Sequence, residues 1–282
     1  MSAQETFAAD WLSLREPADH AARSAALAEK LEHALSDRPT LRIVDLGCGH
    51  GNNLRWLAPR LSGRQRWLMV DRDPALLDWL QDRSAARPPA PGLDIETRHT
   101  DLADSDLAFL AEHDLVTASA LFDLVSEDWL TRLAQACRKH RCGALLALSV
   151  TGDWCFLDIR QRSISDPDDR FVRQQFNRHQ CSDKGLGAAL GPAAARVLPR
   201  VFADHRFDVD TRPSDWLLAA GDALTLRLGP PLLQGWRDAA VEQAAQEAKR
   251  IEQWHERRSG ALVAGELGLR VGHVDLLALP TS

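Results

Sequence analysis

Over the first half of the chain, short apolar runs alternate with apolar stripes at helical spacing, which predicts strands and helices in turn around a parallel sheet. The run Arg42-Ile43-Val44-Asp45 reads as a first strand, and Leu54, Leu57, Ala58 and Leu61 repeat as the helix after it. Trp67-Leu68-Met69-Val70 makes a second strand ending in Asp71, and Asp73-Pro74 opens a helix carrying Leu76, Leu77, Trp79 and Leu80. Arg87 to Gly92 is a proline-rich loop, and Leu93, Ile95 and Thr97 alternate as a third strand. Asp114 to Leu121 gives a fourth. Ser126 then caps a helix with Trp129, Leu130, Leu133, Ala134 and Cys137 on one face, and Gly143 to Val150 is apolar enough to be covered on both sides.

The ends of the chain read differently. Residues 1–40 are helical in pattern: Trp11, Leu12 and Leu14 share a face, Glu16-Pro17-Ala18-Asp19 resembles a helix start, and a stripe from Ala22 to Leu35 follows. From Thr151 to about Gly191 the alternation stops, in a polar stretch holding Asp153-Trp154-Cys155-Phe156, four arginines (Arg160, Arg162, Arg170, Arg173) and Phe176 to Gly185. So long an irregular segment within a compact domain is usually functional. Pro192 to His205 is then helical, Phe207 to Asp210 starts a strand, a helix runs from about Pro231 to Arg258, and Leu269 to Leu279 fits a terminal strand.

Between the first strand and its helix lies Leu46-Gly47-Cys48-Gly49-His50-Gly51. Glycine reaches positive φ and lets a ligand lie against bare backbone, with the helix amides facing it. Asp71, at the end of the second strand, is placed to accept from both hydroxyls of a ribose. Dinucleotides and S-adenosylmethionine both use this arrangement. The dinucleotide fingerprint asks for glycine or alanine at its sixth position, where this chain has Asn52.

The string Val44-Asp45-Leu46-Gly47-Cys48-Gly49-x-Gly51 resembles the first motif of class I S-adenosylmethionine-dependent methyltransferases. The resemblance implies an α/β, Rossmann-like fold, with a seven-stranded, mostly parallel sheet of order 3-2-1-4-5-7-6 and helices on both faces. It assigns residues 41–151 and 192–282 to the core and 152–191 to a substrate cap inserted after the fifth strand, with residues 1–40 folding over the cofactor. For the cofactor it implies Asp45, Gly47, Cys48, Gly49, Gly51, Asp71, Arg72, Leu102, Ser119 and Ala120, with Asn52 and Asn53 reaching its amino-acid end. Asp101 would accept from the adenine amino group; a helix cap is the other reading. His50 departs from the small hydroxyl residue frequent in that loop. Ser119-Ala120-Leu121-Phe122 stands where methylases of exocyclic amino groups carry Asn/Asp-Pro-Pro and an aromatic ring, which lowers the odds of adenine or glutamine methylation.

Composition narrows the acceptor. A formal charge of −6 over 282 residues argues against a polynucleotide substrate. No apolar run reaches the roughly 18 residues of a membrane span, and five scattered cysteines read as reduced thiols in a cytoplasmic protein without a zinc or other metal site. The expected reaction is direct displacement at the sulfonium methyl, onto a small molecule, in which the protein aligns reactants and excludes water. His179 is the candidate general base, with Asp123 and Asp153 as alternatives. Arg15 and Arg23 are candidates for a carboxylate of cofactor or substrate, or solvated helix residues. The cap arginines and Lys184 offer a clamp for an anionic acceptor, with Trp154 and Asn177 beside it; Trp154, Trp216, Trp236 and Trp254 are candidate walls for a flat acceptor, with burial in the core as the other reading. Three other readings stay open: an NAD-linked oxidoreductase, a non-catalytic S-adenosylmethionine-binding module and an RNA methyltransferase.

Overall fold

The computed structural model describes residues 9–183 and 185–281. Helices α1 (Ala9–Ala22) and α2 (Ala25–Leu35) lead into β1 (Thr40–Leu46), α3 (Asn52–Leu57), β2 (Arg64–Asp71), α4 (Pro74–Ala86), β3 (Leu93–His99) and β4 (Leu115–Ser119). Next come α5 (Glu127–His140), β5 (Gly143–Leu157), β6 (Ser163–Ile164), α6 (Pro167–Gln180), α7 (Ala194–Asp204) and β7 (Phe207–Pro213). Then β8 (Trp216–Leu218), α8 (Ala223–Gln243), α9 (Ala248–Val263) and β9 (Gly268–Pro280) complete the order.

The sheet runs β3-β2-β1-β4-β5-β9-β7, parallel from β3 to β5 and antiparallel at β9, with β6 on β5 and β8 on β9. Counting the long strands alone gives the expected 3-2-1-4-5-7-6; the two short strands raise the total to nine. Both faces are buried, which is why the central strands are apolar at consecutive positions. Val44, Leu46, Leu68 and Val70 pack beneath α5 and α7, while Ile43, Trp67 and Met69 pack beneath α2, α3 and α4. Burying each such side chain contributes on the order of 2 kcal/mol.

A third core has no counterpart in the plain sheet. β5 and β9 run on past β4 as a two-stranded arm, with register shifts between Leu146 and Ser149 and between Val150 and Trp154. Leu148 and Gly152 both take positive φ at these shifts. A Cβ on Gly152 would lie 2.5 Å from Pro192 Cβ, so only glycine lets the arm bend there. Trp154 and Phe156 of the arm bury against α6, α8 and α9 through Val172, Trp236, Ile251 and Trp254.

Three boundaries differ from expectation. Pro17 lies inside α1, which runs unbroken to Ala22; the second helix instead starts at Ser24, whose Oγ accepts from Leu27 N–H. The fifth strand extends from Val150 to Leu157. The helix expected over 231–258 is two helices that break at 244–247, and the first already begins at Ala223 with Pro230 and Pro231 inside it. α8 and α9 pack closely at Gly229, where a Cβ would meet Leu262 Cδ1 at 2.6 Å.

Candidate active site

The β1–α3 turn is held open by its own backbone. Gly47, Gly49 and Gly51 have φ of +60°, +52° and +83°. Gly51 N-caps α3 and packs on Leu80, so it shapes the turn without lining the cleft beside it. Gly47, Cys48 and Gly49 line that cleft. Gly49 N–H donates to Asp71 Oδ2 at 2.7 Å and Asp73 N–H donates to Oδ1 at 3.0 Å, which fixes the carboxylate at the end of β2 with further lone pairs to offer. Burial pushes the Asp71 carboxyl above its ordinary range, against the pull of these amide bonds.

Beneath the turn is a buried polar chain. Asn53 Nδ2 donates to Asp45 Oδ1 at 2.8 Å and to Thr117 Oγ1 at 3.0 Å, while its Oδ1 accepts from Arg23 at 2.7 Å. Arg23 also lies 3.4 Å from Asp275 of β9 and over the Trp56 ring. Asp275 in turn accepts from the Ser24 and Leu148 amides. Arg23 therefore braces the leading helices to the sheet and does not line the cleft, contrary to its reading as a carboxylate ligand. Asn53 reaches the cleft edge with its amide already engaged.

Two buried acceptors at one end of this cleft have no hydrogen bond: Asp45 Oδ2 and Asn52 Oδ1. Burial raises the Asp45 pKa to about 7, with Asn53 and Arg23 pulling the other way. Asn52 Nδ2 is used, donating to Asp19 at 2.7 Å. Such a pair suits a donor-rich cation, and the α-ammonium of a methionine moiety is one. At the other end, Asp101 and Leu102 line the cleft; Asp101 Oδ1 caps the local turn by accepting from Ala103 N–H at 2.9 Å. A carboxylate can do this and still accept from a base. Arg72 also lines the cleft, its carbonyl accepting from His99 Nε2–H at 2.9 Å.

His50 also lines the cleft. It stacks on Trp79 at 4.7 Å and its Nδ1 accepts from Arg55 at 3.0 Å; burial and the Arg55 charge lower its pKa to about 4. The neutral ring helps hold α1 over the turn, since Arg55 also pairs with Glu16 at 2.6 Å.

A second cavity opens where β4 ends. Ala120, at φ +53°, lines both spaces, as do Leu124 and Arg15 of α1. A non-glycine residue at that φ costs of order 1 kcal/mol or more, the kind of strain found where function needs it. Ser119, one residue earlier, faces only the first cleft. The second chamber, of about 430 Å³, is walled by Trp11, Trp154, Phe176, Trp216 and Trp236. Trp154 and Trp236 stack at 4.1 Å and 10°.

Several expected site residues meet at this chamber. Asp123, Asp153, Trp154, His179 and Arg15 all line it. His179 Nε2 lies 3.2 Å from Glu242, and Asp153 is held by Arg173 at 2.9 Å and Arg270 at 2.6 Å. Arg15 is tied to Asp19 through Nε and Nη2 at 2.9 and 3.1 Å. Asn177 does not join them: its Nδ2 donates to the Gly152 carbonyl at 2.8 Å and it faces a shallow groove on the other side of α6. Of the cap arginines none lines the chamber, and Lys184 lies outside the described residues.

Of the four tryptophans expected to wall a flat acceptor, Trp154, Trp216 and Trp236 line the chamber and Trp254 is core; sequence reasoning missed His273, which completes the chamber from β9. His273 is 4% exposed. The one signal for it was a polar pair, His273 and Asp275, inside the apolar run of a central strand, where an unpaired polar side chain is costly.

Residues 43–141, from β1 through the end of α5, match the family model described as a methyltransferase domain. No curated protein matches the chain by sequence. Among solved structures, the chain is similar to the cyclopropane synthase MmaA2 from Mycobacterium tuberculosis at 15% identity and a TM-score of 0.47, over 96% of this chain and 94% of that one. A methyltransferase from Geobacter sulfurreducens, solved with S-adenosyl-L-homocysteine, matches at 15% and 0.47 over 97% and 99%. The geranyl diphosphate C-methyltransferase from Streptomyces coelicolor A3(2) matches at 14% and 0.42 over 90% and 76%. Residues 43–141, which carry the glycine turn and the acidic strand ends, are therefore a methyltransferase domain.

Proposed function

We propose that this protein is an S-adenosylmethionine-dependent methyltransferase acting on a small molecule, which is held in the aromatic chamber while the cofactor occupies the glycine-turn cleft. The observation that carries this reading is the junction at Ala120, where the two cavities share a wall formed also by Leu124 and Arg15. Asp71 would hold the ribose, Asp101 the adenine, and Asp45 with Asn52 the ammonium of the methionine end. These groups account for the polar ends of the cofactor, and the turn between them leaves backbone bare for its middle.

The bound cofactor supplies an activated methyl group, so the protein's share is alignment and exclusion of water. α1 closes over the turn through Leu12, whose Cδ1 lies 3.2 Å from the Cβ position of Gly49. Residues 152–191, together with α8 and α9, would form the cap over the acceptor. His179 and Asp123 remain the proposed proton acceptors in the wall; Asp153 is gripped by two guanidinium groups, which favour its ionised form and make it the poorer base.

Calorimetric titration with S-adenosylhomocysteine and with NAD tests the reading, followed by a coupled assay of S-adenosylhomocysteine release over a panel of small acceptors. Selective binding of the first ligand and turnover with at least one panel member are expected. Equal affinity for NAD, or turnover only with RNA, would replace it.

A further inference from the structure

The polar groups of the aromatic chamber point to what it holds. Its charged lining is two carboxylates, Asp123 and Asp153, against one guanidinium, Arg15. That guanidinium is doubly bonded to Asp19 and lies over the Trp216 ring at 5.1 Å. The nearby guanidinium groups of Arg173 and Arg270 are likewise spent, on Asp153 and on Asp215 at 3.1 Å. An anion placed here would lose its hydration and meet carboxylates, with each cation already paired. A cation or a neutral ring would instead face tryptophan π-surfaces.

Two buried nitrogen groups then set a hydrogen-bond pattern. His273 Nδ1 lies 3.0 Å from the Val271 carbonyl, which can only accept, so Nδ1 carries the ring proton. Burial lowers the pKa of this histidine to about 3, so Nε2 keeps a bare lone pair at neutral pH. Also in the chamber wall, the Trp154 Nε1–H is buried and has no partner among the described residues. The pair is one acceptor and one donor among flat aromatic walls. An aromatic ring with both an amino N–H and a ring nitrogen satisfies both, and a carboxylate or phosphate satisfies neither the histidine nor the charge.

Resting on the methyltransferase reading above, we infer that the acceptor is a flat, neutral amino-heterocycle whose amino N–H is received by His273 Nε2 and whose unprotonated ring nitrogen accepts from Trp154 Nε1–H. Transfer to such a nitrogen forms an N–C bond from its lone pair as the C–S bond breaks. The C–S electron pair stays on sulfur, and the proton shed by the product ammonium passes to a proposed acceptor in the wall, His179 or Asp123, and on to water. His273 is then a specificity-determining residue.

The test uses the full chain loaded with S-adenosylhomocysteine, at a pH of about 10 where the ring nitrogen of 4-aminoquinoline is unprotonated, and two probes of similar size, 4-aminoquinoline and 1-naphthoate, followed by quenching of tryptophan fluorescence. 4-Aminoquinoline is expected to bind at least tenfold more tightly. His273→Phe, which keeps a ring beside Trp216, should remove most of that preference and leave S-adenosylhomocysteine affinity unchanged. Equal or reversed probe order in the unaltered chain overturns the inference, as does failure of both probes at millimolar concentration. The probe order needs no variant, so it decides the matter even if His273→Phe does not fold. Failure of S-adenosylhomocysteine to bind at the outset is a different result and sinks the proposed function itself.

Discussion

The cofactor cleft draws most of its lining from the ends of four neighbouring parallel strands, within residues 45–120, whereas the aromatic chamber gathers side chains from Trp11 to His273. The cleft is backbone and carboxylate, fixed by bonds such as Gly49 N–H to Asp71 and Asn53 to Asp45. The chamber is ring against ring, with its ions paired to one another around the rim. On the proposed function, one half holds an invariant polar ligand and the other selects a variable flat one. Each can be perturbed without the other, and that independence is testable.

The largest effect should come from the brace that ties both halves to α1 and α2. Arg23 is 6% exposed, and its charge is balanced by Asp275, itself 1% exposed. Removing one partner of a buried pair strands the other, at a cost of about 3–5 kcal/mol. Arg23→Met should therefore lower the unfolding free energy by that order in urea titration. A change below 1 kcal/mol would mean that Arg23 is no brace, and its alternative role at a ligand would return.

Next in size is Asp71→Ala. The carboxylate would lose a charge-assisted pair of bonds to the ribose, and the Gly49 amide would lose its partner. A drop in S-adenosylhomocysteine affinity of about 2–3 kcal/mol is expected by calorimetry, with the affinity for 4-aminoquinoline changed little. Unaltered cofactor affinity would remove Asp71 from the site, and equal loss of both ligands would deny that the halves are separable.

The contrast also explains what could be read in advance. The cleft was legible because its parts lie close in sequence and each local signal has a short-range cause: glycines for positive φ, an acidic residue at a strand end. The chamber was legible in several of its residues, Trp154, Trp216, Trp236 and His179 among them, but not in how they meet. The Trp154 ring is placed by a bend at Gly152 that depends on Pro192, forty residues away. Gln243 and Ala248 flank a break between α8 and α9 that no glycine or proline announces. Pro17, Pro230 and Pro231 sit inside helices because tertiary packing overrides a preference that local rules treat as decisive. Asn177 and the cap arginines were assigned to the pocket by proximity in sequence, but α6 turns Asn177 to its far face and commits Arg173 to Asp153.

Protonation sharpens the comparison further. The folded protein raises Asp45 from its ordinary 3.8 to about 7, so over that range the native state holds a proton that the unfolded chain has released. Asp45 therefore subtracts stability as pH rises from about 4 to about 7, and no further above it. The stability of Asp45→Asn relative to the unaltered chain should grow across that window, as followed by thermal unfolding. An ammonium beside Asp45 favours the carboxylate, so S-adenosylhomocysteine affinity should rise with pH up to about 7 and lose that slope in Asp45→Asn. His50 and His273 act oppositely. Their pKa values fall to about 4 and about 3, so each adds stability that is present above 6.5 and lost as pH drops. A flat difference between Asp45→Asn and the unaltered chain from pH 4 to 7 would show that Asp45 is already ionised without ligand.

The smallest effect belongs to the rim of the chamber. Arg173 is 27% exposed at its side chain and pairs with Asp153, itself half exposed; solvent screens such a pair, which is worth about 0–1 kcal/mol. Arg173 also donates to the Trp154 carbonyl at 2.6 Å, so it anchors the arm beside the stacked tryptophans. If Arg173 serves only as this anchor, Arg173→Ala should cost at most about 1 kcal/mol of stability and leave the weak binding of 1-naphthoate where it was. If it were instead a clamp for an anionic acceptor, the same variant would abolish naphthoate binding while sparing 4-aminoquinoline. Fluorescence titration of both probes against Arg173→Ala separates these outcomes, because the charge on the acceptor decides whether the paired arginines of the cap are structural or functional.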